Sequence, residues 1–255
     1  MKTLRRAAIK LAAPVFWLLV WQGISLWVGR ELLLPAPLTV FARLFALARG
    51  AAFWRTVGLS LLRVLGGVLC ALGLGTVLAA LTARWAVLRA LLAPPLAAIK
   101  ATPVASFIIL ALLWMGRELL PGFIAALIVL PVVWANVETG IRETDRGLLE
   151  VARVFRFSRI QVLKRLYIPA VLPYFVSACR SSLGMGWKAG IAAEVLTVPA
   201  VSIGKMLYES KLYLETVDLF AWTAAVICCS LLLEKLLLAA LSRLRRAGEG
   251  AGADD

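Results

Sequence analysis

The chain has 255 residues, of which 62% are hydrophobic and 16% charged, against about half apolar and a quarter charged in soluble domains. With a mean hydropathy of +0.91 it belongs in a bilayer. Histidine is absent, which excludes a His general base, a Ser-His-Asp triad and a His-based zinc or other metal site. The net charge of +14 reads, in so apolar a chain, as cytoplasmic loops rather than a nucleic-acid surface.

A spanning helix takes roughly 20 mainly apolar residues, and six windows qualify. The first, about 11–28, carries Trp17, Trp21 and Trp27 and follows Lys2, Arg5, Arg6 and Lys10. It resembles a signal segment, but no clean small-residue cleavage site follows it, so an uncleaved anchor is expected. An outer stretch comes next, with prolines at 35 and 37 and then a short amphipathic helix stopped at Gly50. Such a helix suits the membrane surface.

The second window, about 57–82, is glycine-rich and is interrupted by Arg63. The third, about 92–115, holds Pro94, Pro95, Lys100 and Pro103, and the fourth, about 120–138, holds Pro121 and Pro131. Prolines are tolerated in membranes where neighbours satisfy the freed carbonyls. The fifth, about 171–197, contains Arg180, Lys188 and Glu194, and the sixth is about 217–240. Cys70, Cys179, Cys228 and Cys229 all lie in apolar runs and read as buried hydrophobes. With the N-terminus inside, Lys and Arg number 17 on the cytoplasmic side and 7 outside, the asymmetry that the positive-inside rule requires.

The longest cytoplasmic connection, 139–173, has Leu148, Leu149, Ala152 and Phe155, then Val162, Leu163 and Leu166, at three- and four-residue spacings. That pattern predicts two short amphipathic helices, the first capped by Asp145 and the second by Ser158. One face is basic and the other apolar, which suits either a docking element or an interfacial helix on anionic lipid. No GxxxxGK[ST] phosphate loop occurs, so any energy from ATP has to come from a partner.

This connection resembles the cytoplasmic loop of permease subunits of binding-protein-dependent ABC importers, with its pattern EAA, three residues, Gly, nine residues, I-x-L-P. Glu150, Val151 and Ala152 stand for EAA, Arg156 for the glycine, and Leu166, Ile168 and Pro169 for the closing element, in register over twenty residues. Arg156 departs from the pattern. A non-Gly residue is costly at positive φ, so the turn is expected to shift to Phe157 and Ser158. The likeness extends over about 34–240, through LLPAP, SLLRVLGG, KATPVASFIILALLWMG and GWKAGIAAEVL, in the order of nitrate/sulfonate/taurine-type permeases.

The resemblance implies an all-α polytopic fold of about six transmembrane helices with a type I importer core and a coupling-helix loop. It divides the chain into an anchor and outer segment (1–53), a permease core (54–241) and a disordered cytoplasmic tail (242–255). It further implies a transport subunit without its own ATPase site, in a bacterial inner membrane with both termini cytoplasmic. The implied partners are a cytoplasmic ATPase carrying ATP and Mg, an extracytoplasmic solute-binding protein, membrane lipid, and a second permease. That permease is a second copy or a different chain, and nucleic acid has no part. The solute is small and anionic or sulfonate-like, with a thiamine pyrimidine precursor as the alternative.

Ionisable groups inside spans mark a pathway or a buried partner. Lys100, Arg180, Lys188 and Glu194 are the pathway candidates; with Arg63 they leave a surplus of three positive charges. Arg63 and Arg180 lie near span ends, where snorkelling or structural pairing competes. Lys188 and Glu194, six residues apart, point about 120° apart and cannot simply pair. Ser182, Gly186 and Gly190 form a small-residue packing row, and Gly66 and Gly73 read the same way. Three other readings compete. An ion-driven secondary transporter leaves the docking loop unexplained, a membrane enzyme has only a pair such as Ser106 with Lys100, and a receptor-like protein does not account for the charges.

Overall fold

The computed structural model describes the backbone of residues 2–250 and the side chains of 12–240. The side chains of the first four cations and the tail beyond Gly250 lie outside the described residues. Among the described residues there are only helices, turns and loops. The chain begins with α1 (Lys2–Val28) and α2 (Pro37–Ala48), then the long α3 (Ala51–Arg84), α4 (Ala86–Ala101), α5 (Val104–Ala111) and α6 (Leu120–Arg142). Next come α7 (Arg146–Val154), α8 (Arg159–Val162), a π turn (Leu163–Tyr167), α9 (Ile168–Thr197), α10 (Ile203–Leu212) and α11 (Thr216–Gly250).

Four of these helical stretches are long and apolar enough to span: α3, α6, the run 159–197 and α11 up to Ala240. The expected third span is not one straight helix, because α4 and α5 meet at 105°. Pro103 is the cause: it drives Thr102 into extended geometry (φ −83°, ψ 133°) and cannot donate to a helical carbonyl. The anchor is shorter than a full span in its described part, 12–28. Gly50 stays at φ −86° and opens α3 rather than closing α2. The C-terminal helix continues through Gly250, over part of the expected tail, because Ser242 to Ala247 are mostly good helix formers.

The centre of the fold is α6, packed between α3 and α9. On α3 the small residues Gly67, Ala71, Gly75 and Ala79 recur every fourth position, one above another. A Cβ on Gly67 would overlap the Gly122 carbonyl oxygen of α6, and one on Gly75 would sit 3.0 Å from Val133. The expected glycines are displaced around the helix, since Gly66 and Gly73 have open space where a Cβ would stand. On α9, Gly186 lets Val68 and Val129 approach, and Gly190 does so for Val64. Without a hydrophobic drive between helices in lipid, such close contact is what holds spans together.

Polar pins fix the ends. The Trp134 indole donates to Thr82 Oγ1 at 2.7 Å and joins α6 to α3, while the Trp187 indole donates to the Val226 carbonyl at 3.2 Å and joins α9 to α11. Arg43 of α2 makes a two-pronged pair with Asp218 of α11 at 2.5 and 2.7 Å. That hydrogen bond raises the Arg43 pKa above its ordinary value. Buried Glu138 accepts from Arg142 at 3.1 Å and lies 3.2 Å from Arg89, tying α4 to the C-terminal end of α6.

The α3–α6 contact makes a direct prediction. Gly67→Leu should destabilise the detergent-solubilised protein by about 1–3 kcal/mol or more, as overpacking does, while Gly66→Leu leaves its thermal midpoint nearly unchanged. Equal shifts in a thermal-unfolding assay would refute this packing.

Candidate functional site

The loop that follows α6 forms the two predicted helices. Asp145 caps α7, its carboxylate accepting from the Gly147 amide at 2.7 Å. Ser158 caps α8 in a reciprocal box, since Gln161 Oε1 accepts from the Ser158 amide at 2.7 Å and Ser158 Oγ accepts from the Gln161 amide at 3.3 Å. Glu150 and Val151 face outward, and Ala152 is buried at 3% exposure.

The turn between them stays at Arg156, contrary to the expected shift. Arg156 takes φ 52°, the Phe157 amide donates to the Ala152 carbonyl at 2.8 Å, and the Arg156 amide donates to Arg153 at 3.1 Å. This pair of bonds is the Schellman closure, which satisfies carbonyls that the helix end leaves open. Two hydrogen bonds thus hold a residue that glycine would serve without strain.

Pro169 shapes the far end of the loop. Its nitrogen has no proton and its ring crowds the carbonyl four residues back, so the chain widens by a residue and the Ile168 amide reaches Leu163 instead. Leu166 is half-buried on this π turn and Ile168 is exposed. Val154 and Phe155 are also exposed, at 77% and 72%. The pair therefore presents apolar side chains among arginines on a surface that nothing among the described residues covers.

At the opposite end of α9 sits a buried polar hub. Glu194 is wholly enclosed. Its Oε2 accepts from Ser60 Oγ at 2.8 Å and from the Gly204 amide at 3.1 Å, and Ser60 Oγ itself accepts from the Ile203 amide at 2.9 Å. Arg63 Nη1 lies 3.7 Å from Glu194 Oε1 and donates to the Val201 carbonyl at 2.7 Å. Arg63 also pairs with Glu118, whose other oxygen accepts from the Ala200 amide at 2.7 Å. Gly204 is required here, because a Cβ would overlap Glu194.

The candidate residues thus separate. Glu194 and Arg63 come together, while Lys188 and Lys100 are exposed on helix surfaces. Arg180 lines a small cavity between α9 and α11 that also holds Glu234. Ser182 is buried on the packing row, and its hydroxyl has no hydrogen-bond partner among the described residues. The sequence reading missed Ser60 and Glu118. The available signal was the Ser60–Arg63 spacing, which puts both on one face of α3.

The helices long and apolar enough to cross a membrane, with an exposed capped helix pair at one end of α9 and a braced loop at the other, define a polytopic all-α membrane protein. The profile of the family described as binding-protein-dependent transport system inner membrane component matches residues 71–246. An Escherichia coli permease protein named for aliphatic sulfonates transport is 30% identical over 210 residues, covering 80% of this chain and 78% of its own. The bicarbonate transport system permease protein of Synechococcus elongatus is 28% identical, covering 79% of this chain and 76% of its own. The taurine transport system permease protein of Escherichia coli is 24% identical, covering 94% and 90%.

The chain belongs to this family of binding-protein-dependent inner-membrane permeases and is a permease subunit of an ABC importer in a bacterial membrane. Membership brings an ATPase, which uses the ATP, and a solute-binding protein as partners.

Two variants probe the two ends. Glu194→Ala strands the Ser60 hydroxyl and the Gly204 amide, at about 1–3 kcal/mol for each buried donor left unpaired. It should lower the thermal midpoint more than Glu194→Gln, which keeps an acceptor, and equal shifts would remove the hub from the account. Arg156→Gly should relieve about 1–2 kcal/mol of left-handed strain. Amide exchange at Phe157 should slow, and unchanged or faster exchange would show that the turn is unstrained.

Proposed function

We propose that residues 142–169 are the element through which the partner ATPase drives this permease. The observation that carries the reading is the exposed, basic and apolar α7–α8 pair, rigidly capped at both starts and continuous with α9. Glu150 offers a carboxylate to a basic residue of the ATPase, the apolar face packs in its groove, and Pro169 with Leu166 and Ile168 passes the motion to α9. ATP and Mg sit on the partner, and this chain has no ATPase site of its own. Both termini are cytoplasmic, and two copies of the chain form the translocation path.

Lys188 supports an anionic solute. It is exposed within a membrane-spanning helix, where a charge facing lipid is costly, so its face of α9 borders an aqueous path or the second copy. Lys100 and Arg180 add to the same positive field. A small sulfonate-like or comparable anion delivered by the binding protein fits this surface, in keeping with what the relatives' names state.

The test is Glu150→Lys in the assembled importer. The variant should lose ATPase copurification from solubilised membranes and lose uptake stimulated by the binding protein. Full retention of both would remove the loop from this role.

A further inference from the structure

A cavity of about 600 Å³ lies between the inner halves of α3 and α6 and the start of α9. It falls within the roughly 300–1,000 Å³ of small-molecule sites. Its walls include Ala80, Val137, Ile141, Leu163 and Phe175, and its one charged lining residue is Arg84. Along α3 it reaches from Thr76 to Arg84, about 12 Å at 1.5 Å per residue. That is most of one leaflet's share, about 15 Å, of the hydrocarbon core.

The mouth bears the marks of a headgroup level. Arg84 is the last residue of α3, is exposed, and has no acidic partner among the described residues. Trp85 follows it at 54% exposure and Tyr167 lines the cavity from the facing wall, and both residue types favour the membrane–water boundary. Lys164 and Arg165 are exposed on the adjoining π turn. An apolar slot beneath a cationic rim complements one kind of occupant, a chain with a negative head.

We propose that this cavity binds an anionic phospholipid of the inner leaflet, with one acyl chain between α3, α6 and α9 and the phosphate against Arg84. Because Leu163 and Tyr167 form part of the wall, the bound lipid also braces the π turn that joins the docking pair to α9. The proposal rests on the cytoplasmic placement of this end and is independent of the solute carried.

The experiment uses the full-length permease in its complex with the ATPase, exchanged into nanodiscs of phosphatidylcholine with or without phosphatidylglycerol, and counts retained lipid by native mass spectrometry. Phosphatidylglycerol should be retained over phosphatidylcholine. Arg84→Gln should reduce that preference about fivefold, since one cation near an anionic leaflet contributes roughly 1 kcal/mol. Arg84→Lys should preserve it, and Ala80→Phe, which fills the slot, should abolish retention of either lipid while thermal unfolding reports that the variants fold. Equal retention of the two lipids, or no effect of Arg84→Gln, overturns the proposal. So does cross-linking of an Ala83→Cys variant to a second copy or to the ATPase, which would show protein in the slot. Labelling of a Ser158→Cys variant from the outer side would instead refute the orientation, and that outcome is separate from the lipid count.

Discussion

The Glu194 carboxylate is cut off from water, so each of its demands has to be met by the fold. Ser60 and the Gly204 amide meet two of them at Oε2, while Oε1 accepts no hydrogen bond among the described residues and lies 3.7 Å from the Arg63 guanidinium. Meeting them fixes α10 on the C-terminal end of α9, and α3 beside both. The same bracing holds Val198 at φ 49°, an unfavourable place for a β-branched residue. Glu118 extends the network to the segment before α6 through Arg63 and the Ala200 amide. Three spans and the loop between α9 and α10 therefore share one electrostatic centre.

From that centre α9 runs for 30 residues without a break, about 45 Å at helical rise. Its other end is the π turn and the capped α7–α8 pair. One continuous helix thus joins the exposed α7–α8 pair to the Glu194 hub, and the small residues on its face allow close packing against α3 and α6. The packing is tight enough to keep that helix in register. The two ends of this one helix are each held by packed neighbours, and a packed core moves between arrangements rather than bending.

The turn between α7 and α8 shows how the fold handles a missing residue type. Arg156 stands where glycine would close the α7 helix without strain, and the Schellman bonds from Phe157 and Arg156 hold the turn in place. Strain of this size persists only where the surrounding bonds over-determine the backbone. The neighbouring caps at Asp145 and Ser158 do the same for the two helix starts. The pair is consequently a preformed shape rather than a linker.

Local chemistry in the sequence determined much of this. Apolar windows located the long spans, Asp145 and Ser158 marked helix starts, and the spacing from Glu150 to Pro169 exposed the two-helix connection and the family. These are legible because capping and periodicity act over a few residues. Only the tertiary structure decided which glycines face a neighbour. Gly67 and Gly75, not Gly66 and Gly73, meet α6, since the facing side depends on where the second helix lies. It likewise decided that Pro103 breaks the third window while Pro94 and Pro95 stay within α4, and that Arg156 keeps the turn. Glu194 finds its partners on α3 and α10, residues 134 and 10 positions away, a pairing invisible to any local pattern because it exists only once the helices have packed.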